Sequence, residues 1–284
     1  MLDIICRNIG FSMKRIIKQI PFTQKFYRYL KELEYRRRFS TNGYGTFWGI
    51  FDTFEQAKEA APQTKSIGYD NADLAEEYAK MLEQENWENS GRIIASYDYP
   101  VLFWLKSIFN PNSSNNVFDF GGNVGIHFYN YSKYIKYPEN IQWTVCDLPA
   151  IVLAGKTIAQ KRQVDNLYFT INLNDANNKD IFMASGSIQY VENLAYVLSQ
   201  FDKPKHLLIN RLPLYHGQKF VTLQNGGQVF YPQYVFNKTE FIEAITNIGY
   251  ELIDIWEDNV DSCLIPFHPE KTVPVYSGLY FKLK

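Results

Sequence analysis

Val117-Phe-Asp-Phe-Gly-Gly-Asn-Val-Gly125 runs a short apolar strand straight into a glycine-rich turn, and residues with helical spacing follow. A turn of this kind lets the backbone take positive φ and lets a ligand approach the main chain. In an open α/β sheet such a turn falls at the carboxyl end of a strand, where ligands bind. The glycines stand at 121, 122 and 125, which is not the G-x-G-x-x-G spacing of dinucleotide-binding sites. Asp119, just before the turn, would repel a phosphate and suits a cation.

Outward from this stretch the chain alternates strand and helix. Apolar runs predict strands at Val117–Phe120, Ile141–Cys146, Leu167–Leu173, Ile181–Ala184, His206–Asn210, Leu252–Trp256 and Ser277–Leu283. Helical patterns fall at about 125–136, 149–161, 191–200 and 237–248. The last of these has Asn237 and Glu240 as a capping-box-like start and Gly249 as its stop. Seven strands with interleaved helices predict an α/β fold, a Rossmann-like, doubly wound, mostly parallel sheet. The exception is 220–236, where Asn225-Gly226-Gly227 separates two aromatic, alternating runs and predicts a hairpin insert. The turn-rich Asn110-Pro-Asn-Ser-Ser-Asn-Asn marks a boundary between an N-terminal helical and aromatic-rich accessory region, 1–110, and the sheet domain, 111–284.

Asp119-Phe-Gly-Gly-Asn-Val-Gly125 resembles the D-x-G-x-G-x-G motif of class I S-adenosylmethionine-dependent methyltransferases, with Asn123 where that family usually has glycine. Asn tolerates positive φ better than most residues, so the turn can survive the change. The resemblance implies S-adenosylmethionine as cofactor, with Asp119 near its amino group and Gly121, Gly122, Asn123 and Gly125 packed against it. Asp147 closes the second predicted strand in Thr144-Val-Cys-Asp-Leu-Pro149. In the family such a residue holds both ribose hydroxyls, since one carboxylate accepts two hydrogen bonds. Leu148 would then lie beside the adenine, and Asp175 would meet its amino group. The Gly68–Asp70 stretch and Gly186-Ser-Ile-Gln-Tyr190 further resemble a bacterial methyltransferase family associated with surface-polysaccharide genes. That resemblance implies a sugar or glycan as the small-molecule acceptor.

Transfer to a hydroxyl requires alignment and a proton acceptor. Candidates follow the fourth and fifth strands: Ser187 with Gln189 and Tyr190, the latter two to orient a hydroxyl, then Arg211 for an acidic group, and His216 as base because imidazole titrates near neutrality. His127, in the first turn after the glycines, is expected to cap or pack the loop, and His206 and His268 read as structural. Cys6, Cys146 and Cys263 are scattered, so neither a metal site nor a disulfide framework is expected. Two other readings stay open: a different Rossmann-like nucleotide-sugar enzyme, and a non-catalytic binding subunit built on the same fold.

The 284 residues carry a net charge of −1, but its distribution is uneven. Residues 1–40 hold ten Lys/Arg and three Asp/Glu, which leaves a net −8 on the remainder. Leu2, Ile5, Ile9, Met13, Ile16 and Ile20 make an apolar stripe, and a second basic helical segment covers about 23–38. With no run of eighteen apolar residues, this head reads as a peripheral contact with an anionic membrane through residues 1–38. The expected location is cytoplasmic, at the inner face of the membrane, and no nucleic-acid partner is expected.

Overall fold

The protein is described by a computed structural model covering residues 21–84, 94–110, 112 and 114–284. The amphipathic helix expected at 2–20 lies outside these residues. In chain order the strands are β1 (Thr46–Phe51), β2 (Ser66–Ile67), β3 (Asn115–Phe120), β4 (Ile141–Cys146), β5 (Leu167–Thr170) and β6 (Ile181–Ser185). They continue as β7 (His206–Leu212), β8 (Leu214–Tyr215), β9 (Phe220–Asn225), β10 (Val229–Asn237), β11 (Tyr250–Asp258) and β12 (Tyr276–Leu283).

Seven of them form one sheet in the order β11-β12-β7-β6-β3-β4-β5. β5, β4, β3, β6 and β7 run parallel, and β12 is antiparallel to both of its neighbours. This is the expected Rossmann-like, doubly wound sheet. Its strands are apolar on both faces because helices cover both. Along β3, Val117 faces one core and Phe118 the other; along β6, Met183 and Phe182 divide the same way. The first core takes helices Ile126–Ser132 and Pro149–Lys161. The second takes Leu194–Leu198 and Lys238–Asn247, the latter capped by the Asn237 side chain accepting from the Glu240 N–H.

The accessory region is not a separate body. Val101, Leu102 and Leu105 of helix Tyr99–Ile108, and Ala75 and Leu82 of helix Ala72–Gln84, enter the first core. The expected hairpin is present as β9 and β10, closed around Gly226 and Gly227. It does not stand alone. β1 pairs antiparallel with β9, β2 pairs with β10, and β8 adds a short bridge, giving a second, five-stranded sheet. The boundary expected at 110/111 therefore divides the sequence but not the structure: a strand from each side builds this sheet. Among the described residues no helix is long and apolar enough to cross a membrane.

Strand order reverses between β3 and β6. From β3 the chain winds to β4 and β5; it then returns to the other side of β3 as β6 and continues to β7. The two crossovers leave in opposite directions, so a crevice opens at the carboxyl ends of β3 and β6. Phe120–Gly121 and Ser185–Gly186 border it, and the second sheet forms its far wall.

Candidate functional site

A cavity of about 740 Å³ occupies this crevice. One end is built by the glycine turn. Gly121 has φ +70°, and a Cβ there would lie 2.4 Å from the Ser187 Cβ. A Cβ on Gly122 would fall 2.4 Å from a carboxylate oxygen of Asp119. Both positions exclude a side chain. Asn123 sits at φ +57° in the left-handed region, and its side chain accepts from the Val124 N–H at 2.7 Å. The expectation that Asn would support the turn is met in this geometry.

Asp147 follows β4 and pins the turn. Its Oδ2 accepts from the Asn123 N–H at 2.9 Å and its Oδ1 from the Leu148 N–H at 2.8 Å. Burial raises its pKa, and the two N–H donors oppose that shift. Each oxygen keeps further accepting capacity toward the cavity. Leu148, 39% exposed, joins Ile151, Ile171 and Leu173 as an apolar wall beside it.

Asp119 lies elsewhere than expected. It is fully buried and does not border the cavity. Its carboxylate accepts from Trp143 Nε1 at 3.1 Å and is 3.0–3.1 Å from His127 Nδ1. His127 covers it and itself borders the cavity. With Nδ1 held by Asp119, Nε2 is the nitrogen left to the cavity. Burial pushes the imidazole pKa down, but the charge and hydrogen bond of Asp119 more than offset this, and the value ends above the ordinary one. Nearby, Asp98 borders the same space from just ahead of helix Tyr99–Ile108. It accepts from the Tyr131 hydroxyl at 2.7 Å, and burial raises its carboxyl pKa against the pull of His127.

The other end is aromatic and amide-lined. Tyr69 stacks on Tyr231 at 4.2 Å, and its hydroxyl meets that of Tyr190 at 3.0 Å. Burial holds all three phenols protonated, with Tyr231 pushed up to about 12 and Tyr69 and Tyr190 held well above the ordinary phenol value. Gln189 and Gln233 are buried, border the cavity, and have Oε1 atoms without a hydrogen-bond partner among the described residues. Gln233 Nε2 donates to the Tyr276 hydroxyl at 3.2 Å. Arg211, at the end of β7, holds φ +58°, donates Nε to Asp261 at 2.6 Å and lies over Tyr97 at 4.5 Å. A non-glycine residue held in this region is uncommon and directs its side chain into the cavity wall.

Of the residues expected at the site, Gly121, Asn123, Asp147, Leu148, Gln189, Tyr190 and Arg211 border one cavity. Gly122 and Gly125 shape the turn from behind, Gly125 at φ +88° leading into helix Ile126–Ser132. Besides Asp119, two expectations are corrected. His216 is exposed between β8 and β9 and does not reach the cavity, because its segment turns outward before the hairpin. Asp175 is exposed in a short 3₁₀ turn, where Asn172 Nδ2 lies 3.5 Å away, and Ile171 and Leu173 form the wall in its place. Asp98, Tyr69, Tyr231 and Gln233 were missed. No local motif marks them; only the Gly68–Asp70 stretch pointed toward Tyr69. Among the described residues no three His, Cys, Asp or Glu side chains gather as a metal site.

No family model matches the chain, and no curated protein matches it. Solved structures are similar in fold. Magnesium protoporphyrin IX methyltransferase from Synechocystis, with bound S-adenosylmethionine, is 12% identical over 76% of this chain and 99% of its own, with a TM-score of 0.46. An S-adenosylmethionine-dependent methyltransferase from Mesorhizobium loti is 11% identical over 66% and 98%, with a TM-score of 0.43. The Burkholderia thailandensis 1,6-didemethyltoxoflavin-N1-methyltransferase, with bound S-adenosylhomocysteine, is 13% identical over 79% and 94%, with a TM-score of 0.44.

Proposed function

We propose that the protein is an S-adenosylmethionine-dependent methyltransferase that methylates a hydroxyl of a sugar or glycan. The observation that carries this reading is the pairing of the side-chain-free turn at Gly121 with Asp147, tied to each other by the Asn123 N–H at the switch point of the sheet. The residues fit the cofactor. Asp147 retains one open acceptor direction on each oxygen, as two ribose hydroxyls require. Leu148, Ile171 and Leu173 offer an apolar slot for adenine. Gly121 leaves the main chain open toward the methionine end.

When bound, S-adenosylmethionine supplies an electrophilic methyl group on a sulfonium centre. The protein aligns the acceptor and removes its proton. Nε2 of His127 would take the proton of the acceptor hydroxyl, and Asp119 would hold the tautomer and stabilise the resulting imidazolium. The unpartnered carbonyls of Gln189 and Gln233 suit hydroxyl donors, and the Tyr69–Tyr190–Tyr231 cluster suits the apolar face of a sugar ring. A role in surface-polysaccharide assembly is what the sequence resemblance implies. The test is to incubate the protein with S-adenosylmethionine and a panel of sugars and nucleotide sugars, following S-adenosylhomocysteine by mass spectrometry. Acceptor-dependent product supports the reading. Binding of a nicotinamide cofactor in its place sinks it.

A further inference from the structure

We propose that the outward face of helix Pro21–Asn42 is a docking surface for an anionic lipid bilayer. The helix has two unlike sides. Tyr35 and Phe39, four residues apart, turn inward: the Tyr35 hydroxyl donates to the Phe47 carbonyl at 2.8 Å, and Phe39, 1% exposed, stacks on Phe230 at 5.2 Å. The side chain of Asn225 donates to the Phe39 carbonyl, so this side is fixed to the second sheet. At 3.6 residues per turn, Phe26, Tyr29 and Leu33 fall on the side opposite Tyr35 and Phe39. They are 45%, 55% and 45% exposed. Three large apolar side chains on one exposed ridge call for a cover.

Charge selects the cover. Lys25 and Arg37 flank the ridge, and the helix carries six Lys/Arg against Glu32 and Glu34, although Arg28 donates to the Phe267 carbonyl and Arg36 and Arg38 lie over the Trp48 and Tyr35 rings. Four further Lys/Arg precede it in the sequence. A second copy of the chain would bring two net-positive heads together, which like charge opposes. An anionic bilayer satisfies both features: aromatic and leucine side chains enter the interfacial layer while cations meet headgroups. The acidic remainder of the chain is repelled by the same surface, which orients the molecule with the helix down. Tyr44, Gly45 and Phe47, a few residues beyond the helix, border the cavity. Docking therefore brings the wall of the site close to the bilayer, where a lipid-linked acceptor would be met. The proposal does not rest on the methyltransferase reading and can fail or stand without it.

The test is co-sedimentation of the full chain with phosphatidylcholine–phosphatidylserine vesicles and with phosphatidylcholine alone. The expected result is binding to the anionic vesicles at low salt, weakened as salt is raised. Lys25→Gln with Arg37→Gln should lower the vesicle partition coefficient by about thirtyfold. Phe26→Ser/Tyr29→Ser/Leu33→Ser should lower it at least tenfold, with an unchanged thermal midpoint because the substituted face packs on nothing described. Three results would overturn the proposal: no sedimentation of the full chain with anionic vesicles, equal sedimentation of the variants, or a concentration-dependent dimer that the triple variant abolishes.

Discussion

His127 and Asp119 are eight residues apart, one on the first helical turn and one on the strand before it, and the glycines between them let the chain double back so that the two side chains meet. Trp143 closes the other side of the carboxylate. A buried carboxylate held by two donors is costly to expose, so His127→Ala should destabilise the fold by about 3–5 kcal/mol by leaving Asp119 uncompensated. His127→Asn retains an N–H donor toward Asp119 and is the cleaner variant. It should lower kcat by about 10²–10⁴-fold while S-adenosylhomocysteine affinity, read by calorimetry, stays within a factor of about three. The pH profile follows from the raised imidazole value. The base works deprotonated, so kcat/KM should rise with pH through a limb above 6.5, and Asp119→Asn should move that limb down. Stability runs the other way. Because the folded value exceeds the unfolded one, the dyad's contribution is full below about pH 6.5 and is lost as pH rises through the folded pKa. The gap in urea midpoint between wild type and His127→Asn should therefore narrow as pH is raised.

The hairpin β9–β10, which the sequence predicts as an insert, forms one wall of the cavity through Gln224, Tyr231 and Gln233. β1 on one side and β2 on the other pair with it, and Val221, Leu223, Val229 and Phe230 are fully buried. Excising 221–230 would open the packing around Phe39 and Phe47, so the aromatic and amide-lined end of the cavity is better probed by single substitutions. Gln189→Met replaces an orphaned amide by an apolar side chain of similar shape. Removing an unsatisfied buried acceptor should leave the thermal midpoint equal or higher, while acceptor KM rises at least fivefold and cofactor affinity holds. A matching loss of cofactor affinity would place Gln189 at the wrong end of the cavity. The glycine turn is the counterpart element at the other end. Gly121→Val forces a β-branched residue into positive φ and into Ser187, and it should abolish cofactor binding measured by calorimetry while far-ultraviolet dichroism still shows a folded α/β protein.

At the scale of the whole molecule, the parts legible in sequence are those set by neighbours along the chain. Strand ends fall near the expected positions, with Ile141–Cys146 unchanged, because apolar runs bounded by turns specify a buried parallel strand. Gly121 and Asp147 could be read because each sits at a strand end whose place in the sheet is implied by order alone. The rest depends on pairing between distant segments. β1 meets β9 across about 170 residues of chain, and no local pattern announces that partner. Asp98, Tyr69 and Gln233 reach the cavity only through that pairing and through the helix that docks Asp98 against Tyr131. His127 and His216 illustrate the limit: both stand beside glycine-rich or turn-rich segments, and only the folded chain separates a histidine backed by a buried carboxylate from one in solvent. Gly121 and Asp147, the two legible residues, meet in the proposed cofactor site. The most direct measurement is calorimetric titration of the full chain and of Asp147→Ala with S-adenosylhomocysteine. The expected result is one site per chain in the wild type, with about 1.5–3 kcal/mol lost in a folded Asp147→Ala protein. Absence of binding to the wild type, or equal affinity in the variant, would contradict it.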